Sequence, residues 1–140
     1  MEFLSQSVGE TKAFAAEFAK KLKSGDIIAF YGDLGAGKTQ FSAGVAEALG
    51  YAGAVTSPTY TILALYKAEI PIAHFDMYRI ETELQLENTG FFDYLSGGYI
   101  LLIEWAENIA DYLPQRLYRV ELGYVGENQR KITVKEPQDC

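Results

Sequence analysis

Residues 32–39 read Gly32-Asp33-Leu34-Gly35-Ala36-Gly37-Lys38-Thr39, a complete match to the pattern G-x-x-x-x-G-K-[ST]. No other feature constrains the fold as tightly, because each fixed position has a mechanical task. Glycine lets the backbone curl without a Cβ clash, so the N–H groups of Gly35, Ala36 and Gly37 can turn inward on phosphate oxygens. The helix that follows, from Gln40, adds the positive end of its dipole. Lys38 supplies a point charge for the β- and γ-phosphates, and the Thr39 hydroxyl can ligate Mg²⁺. Ordinary residue frequencies give such a match in roughly one of 10⁴–10⁵ windows, so a chance origin in a chain this short is a poor explanation.

The flanks agree with the loop. Asp26–Tyr31 is a short apolar run that reads as a buried strand. Residues 40–49 read as a helix with Phe41, Val45, Ala48 and Leu49 on one face and Gly50 as its stop. Strand, glycine loop and helix form the unit that this motif requires.

The rest of the chain reads as further alternation of helix and strand. Ser7-Val8-Gly9-Glu10 has capping-box spacing, and Phe14, Phe18 and Leu22 continue a helix to about Lys23, with Gly25 beyond it. Thr61–Tyr66 and Ile72–Met77 read as strands whose five-residue connection makes a hairpin. Short helices are expected at Thr82–Glu87 and Phe91–Leu95, a buried strand at Gly98–Glu104, and a helix at Asn108–Leu113 ended by Pro114. Leu117–Val125 and Lys131–Lys135 alternate as two antiparallel strands. The expected architecture is α/β: one P-loop NTPase-like domain over 1–140, with three layers and a mixed parallel/antiparallel central sheet.

Composition excludes several classes. No apolar run approaches the ~20 residues that span a bilayer, and Met1–Ser5 has no basic, signal-like start. The single cysteine, Cys140, has no partner for an internal disulfide, so a cytoplasmic chain is expected. A net charge of −7 argues against direct tRNA or other nucleic-acid binding by this chain alone. A role in nucleic-acid metabolism through a partner stays open.

A phosphate loop only binds. Hydrolysis needs a second acid near Mg²⁺ and a group that places the nucleophile. In open α/β sheets, ligands lie at the carboxyl ends of strands, so acids that terminate apolar strands are the candidates. Glu104 ends Tyr99–Ile103, resembling a Walker B strand with Glu in place of the commoner Asp, and Asp76 ends Ile72–Phe75. The alternatives are a solvated loop residue for either acid, or a helix N-cap for Asp76. His74, two residues before Asp76, shares its face of the strand and suits a polar role near the site or a hydrogen-bonded core position. Arg79 suits a phosphate contact or a pair with Glu81, and Trp105 suits packing. Thr56, Ser57 and Thr59 suit a switch loop that senses the γ-phosphate, or simply a Ser-Pro turn.

Taken together, the segments Gly32–Thr39, Ser57-Pro58-Thr59-Tyr60-Thr61, His74-Phe75-Asp76-Met77-Tyr78-Arg79, Gly90–Tyr94 and Ile103-Glu104-Trp105 resemble the TsaE (YjeE) family, in order and spacing along nearly the whole chain. That family is the small bacterial ATPase of tRNA threonylcarbamoyladenosine synthesis. The resemblance implies Mg²⁺-dependent ATP hydrolysis, with Lys38, Asp76 and Glu104 catalytic and Mg²⁺ held by Thr39 and Glu104. It implies nucleotide contacts from Thr11, Trp105 and Arg130, and switch-like roles for Thr56, Ser57, Pro58, Thr59, Tyr60, His74 and Arg79. It also implies the partners TsaB and TsaD, and a part in placing the threonylcarbamoyl group on an adenosine of tRNAs reading codons that begin with adenine. Gln40 departs from a threonine common in relatives.

Two rivals use the same loop. A small-molecule kinase would need a cationic lid, and the four arginines (Arg79, Arg116, Arg119, Arg130) form no cluster between strands. A nucleotide-gated binding module would bind ATP without useful hydrolysis.

Overall fold

The computed structural model describes residues 1–32, 37–55, 62–126 and 129–137. In chain order these form β1 (Glu2–Ser5), α1 (Val8–Ala19), β2 (Ile27–Gly32), α2 (Lys38–Ala48), β3 (Leu63–Tyr66), β4 (Ile72–Asp76), α3 (Glu83–Asn88), α4 (Phe91–Leu95), β5 (Ile100–Glu104), a 3₁₀ helix (Ala106–Tyr112), β6 (Tyr118–Gly126) and β7 (Gln129–Lys135). The strands make one sheet in the order β1-β7-β6-β2-β5-β4-β3. Its centre, β6-β2-β5-β4, is parallel; β3, β7 and β1 join antiparallel at the two sides. The expected mixed α/β sheet is therefore the one found.

Strand alternation divides the core into two layers. Ile28, Phe30, Ile100, Leu102 and Ile72 meet Phe18 of α1 and Phe41 and Val45 of α2. Ile27, Ala29, Leu101, Ile103, Ala73 and Phe75 meet Leu86 of α3, Phe91 of α4 and Ile109 of the 3₁₀ helix. Burial on both faces explains why β2 and β5 read as unbroken apolar runs. The same period sets the site. His74 belongs with Ile72 on the α2 side of β4, and Glu104 with Leu102 on that side of β5. The parallel register brings the last residues of these strands, Asp76 and Glu104, opposite each other.

Several expectations change. Nothing local in residues 2–5 announces β1, which is held by pairing remote in sequence, Phe3 with Ile132 of β7. α1 ends at Ala19, not near Lys23, because the amides of Lys20, Lys21 and Leu22 turn to carbonyls three residues back. In its cap the Ser7 hydroxyl accepts the Glu10 amide, but the Glu10 carboxylate accepts the amide of Gln6 rather than that of Ser7. Ala48 is exposed, since the buried stripe of α2 centres near Val45 and leaves its last residue at the edge. The segment before Pro114 is a 3₁₀ helix that begins at Ala106. β6 is antiparallel to β7 as expected, but parallel to β2 on its other side. Among the described residues, no helix is long and apolar enough to cross a membrane.

Candidate functional site

β2 ends at Gly32, where φ is +120° and a Cβ would lie 1.9 Å from the Leu122 carbonyl oxygen, so only glycine fits. The chain re-enters the described structure at Gly37, left-handed at φ +100° and the N-cap of α2. No side chain caps this helix start among the described residues. Its first-turn amides are thus the kind of donors that accept an anion. Lys38 follows at 7% exposure. A buried ammonium needs compensation, and its Nζ lies 5.7 Å from the centroid of the Trp105 ring. Thr39 is half-buried in the same first turn.

Glu104 is 7% exposed at the end of β5. Its Oε2 lies 2.7 Å from His74 Nε2, and the other ring nitrogen, Nδ1, lies 2.8 Å from the Tyr66 hydroxyl. His74 is fully buried. Burial, with smaller contributions from Tyr51 and Glu104, pushes the Tyr66 hydroxyl up to about 12, so it stays protonated. The two contacts engage both ring nitrogens of His74, Nδ1 with the Tyr66 hydroxyl and Nε2 with the Glu104 carboxylate, which only accepts.

Asp76 is half-buried opposite Glu104, and its Oδ1 accepts the Tyr78 amide at 3.0 Å. Burial holds its carboxyl above the usual carboxylate range and Glu104 adds to this, while the Tyr78 amide, His74 and Lys38 oppose it. Two neighbouring carboxylates beside one lysine form a site where added positive charge is favourable.

Trp105 has φ +58°, the only left-handed residue other than glycine among those described. Such a conformation costs on the order of 1–3 kcal/mol and persists only where the surroundings impose it. Here the Met77 amide donates to the Glu104 carbonyl at 3.0 Å, and the Asn108 amide donates to the Trp105 carbonyl at 3.1 Å. Asn108 Nδ2 donates to the carbonyls of Met77 and Tyr78 at 3.0 and 3.1 Å. The turns after β4 and β5 are thereby tied together, with the Trp105 ring 4.8 Å from that of Tyr78.

A cavity of about 400 Å³ opens beside the α2 start, lined by Gln6, Ser7, Val8, Thr11, Gly37, Gln40 and Arg130. Thr11 and Arg130, far apart in sequence, thus converge on Gly37 and Gln40. The Thr11 hydroxyl is held 2.7 Å from Ser5 Oγ, and the Arg130 guanidinium lies 3.9 Å over the Tyr124 ring.

The expected residues therefore fall into an acid-and-lysine group (Lys38, Asp76, Glu104, with His74 and Trp105) and a cavity group. Arg79 is exposed and makes no ion pair among the described residues, with Glu81 or otherwise. Gly35, Ala36, Thr56, Ser57, Pro58, Thr59, Tyr60 and Cys140 lie outside the described residues. Sequence reasoning missed Tyr66, whose hydroxyl looks like ordinary strand packing until the hairpin register is known, and the cavity wall Gln6–Val8. No group of three His, Cys, Asp or Glu side chains placed to hold a metal occurs among the described residues. The oxygens of Thr39, Asp76 and Glu104 are, however, the hard donors that Mg²⁺ takes when phosphate and water complete its shell.

Against known proteins, the profile described as threonylcarbamoyl adenosine biosynthesis protein TsaE matches residues 5–132. The tRNA threonylcarbamoyladenosine biosynthesis protein TsaE of Bacillus subtilis is 42% identical over 125 residues, covering 89% of this chain and 78% of that protein. Its counterpart in Treponema pallidum is 32% identical over 134 residues, covering 96% and 99%. The crystal structure of Bacillus subtilis YdiB superposes with a TM-score of 0.79 at 34% identity, covering 98% of this chain and 85% of that one.

Proposed function

This chain belongs to the TsaE family of tRNA threonylcarbamoyladenosine biosynthesis, and on that premise we propose that it is the pathway's Mg²⁺-dependent ATPase, working in the cytoplasm with TsaB and TsaD. One observation carries the reading: Asp76 and Glu104 end adjacent parallel strands in register, and Asp76 feels both Glu104 and Lys38.

Lys38 and the amides opening α2 bind the β- and γ-phosphates. Thr39 and Glu104 hold Mg²⁺, which when bound offsets negative charge developing on the transferring phosphoryl group. Asp76, close by but engaged by the Tyr78 amide, orients the attacking water. Thr11, Gln40 and Arg130 receive the nucleoside end in the cavity beside Gly37. Trp105 packs over Lys38 and limits its access to water.

The acidic charge fits a chain that leaves RNA contact to a partner. Partner docking would complete an otherwise slow site, as lid and switch closure do elsewhere. The test is ATP turnover by the full chain alone and with TsaB and TsaD. Stimulation by the pair is expected; unchanged turnover under conditions where the three proteins bind one another would overturn the partnership.

A further inference from the structure

We propose that Tyr66 and His74 act as a positioning relay that fixes the Glu104 carboxylate toward the metal–nucleotide. The inference rests on the ATPase reading above and adds to it a role for two residues to which that reading gives no contact with nucleotide or metal. Three strands contribute one member each: Tyr66 ends β3, His74 lies in β4, and Glu104 ends β5.

Both contacts are short, 2.8 Å from the Tyr66 hydroxyl to Nδ1 and 2.7 Å from Nε2 to Glu104 Oε2. The ring lies in the apolar layer under α2, where Tyr66, Ile72 and Leu102 are buried with it. An apolar side chain would fill such a position without the desolvation cost of an imidazole, so packing alone does not account for histidine there. A free glutamate side chain samples many rotamers; hydrogen-bonded to a ring that is itself held at its far nitrogen, it is restricted to one. The Glu104 carboxylate, which only accepts, takes the proton-bearing Nε2, and the Tyr66 hydroxyl engages the other ring nitrogen. This is the logic by which outer residues orient a metal-binding group, and losing one typically costs 10–100-fold in metal affinity or activity.

The test compares the full chain with His74→Leu, His74→Gln and Tyr66→Phe. Mn²⁺ serves as the metal probe with ADP, read by electron paramagnetic resonance. Metal-free ADP binding is read from Trp105 fluorescence, and kcat and KM are measured for ATP. His74→Leu should bind Mn²⁺ with ADP about 10–100-fold more weakly and lose kcat to a similar extent. Its metal-free ADP affinity and its KM should stay within about threefold, because the phosphate and nucleoside contacts lie elsewhere. His74→Gln, whose amide N–H can replace Nε2–H, should recover most of the loss. Tyr66→Phe should weaken Mn²⁺ binding several-fold, and it decides the matter if His74→Leu does not fold.

Wild-type Mn²⁺ affinity in both folded His74→Leu and Tyr66→Phe would overturn the relay alone, as would a folded His74→Gln no better than His74→Leu. Failure of the wild-type chain to bind Mn²⁺ with ADP would overturn the relay together with the ATPase reading.

Discussion

Asp76 and Glu104 are register partners at the ends of parallel strands β4 and β5, so two carboxylates emerge side by side from the buried centre of the sheet. Burial of such a pair is unfavourable unless cations or hydrogen bonds compensate. Tyr78 and His74 supply hydrogen bonds to the two acids, Lys38 supplies nearby charge, and Mg²⁺ would supply the rest. Most of the predictions follow from this arrangement.

Asp76 is expected to trade stability for turnover. Its carboxyl titrates above the usual range in the folded chain, chiefly through burial. The folded state therefore holds the proton more tightly than the unfolded state does. Stability from this group is present below the unfolded pKa and is lost as pH rises toward and through the raised folded value. In metal-free urea titrations, Asp76→Asn should remove this pH-dependent loss and be at least as stable as wild type at pH 7. Its ATP turnover should fall by about 10²-fold or more, with nucleotide affinity little changed. A variant less stable than wild type at neutral pH would refute the desolvation argument.

Lys38→Ala should abolish tight nucleotide binding, because the phosphate charge then has no buried counter-ion. Calorimetry measures this directly. The chain has one tryptophan, and Trp105 faces Lys38 at 5.7 Å. ATP should therefore change wild-type fluorescence and leave that of Lys38→Ala unmoved; equal affinity in the two proteins would remove Lys38 from the site.

The cavity group should separate from the acid group kinetically. Thr11→Val and Arg130→Gln alter side chains that line the cavity beside Gly37 and Gln40. Each is expected to raise KM for ATP by about 10-fold while kcat stays within about twofold, the pattern of lost uniform binding. A fall in kcat without a change in KM would place these residues with the chemistry instead.

Gly44 lets α1 and α2 approach closely. A Cβ there would lie 2.5 Å from the Lys12 carbonyl oxygen and 2.8 Å from Ala15 Cβ. The overpacking cost, about 1–3 kcal/mol, should exceed the ~1 kcal/mol that alanine gains in helix propensity. Gly44→Ala should therefore be destabilised in urea titrations; an increase in stability would mean the helices separate freely.

Much of this architecture is legible in the chain. The largely apolar runs ending in Asp76 and Glu104 show strand and site together, because burial on both faces leaves an acid at the strand end conspicuous. The loop at Gly32–Thr39 locates the turn between β2 and α2 through its glycines and lysine. What escapes notice depends on long-range pairing. β1 is four residues long and is held by β7 across nearly the whole chain. The meeting of Thr11 with Arg130 follows from that strand order. The Tyr66–His74 contact needs the hairpin register. Nothing local in Trp105 announces a left-handed backbone; the hydrogen bonds of Met77 and Asn108 impose it.

The central claim is most directly tested by phosphate release from ATP, measured with Mg²⁺ and with excess chelator, for wild type, Lys38→Ala and Glu104→Gln in the presence of TsaB and TsaD. The account predicts metal-dependent release by wild type that falls by about 10²-fold or more in both variants. Release that is unaffected by chelator, or that persists at the wild-type rate in the folded variants, would contradict it.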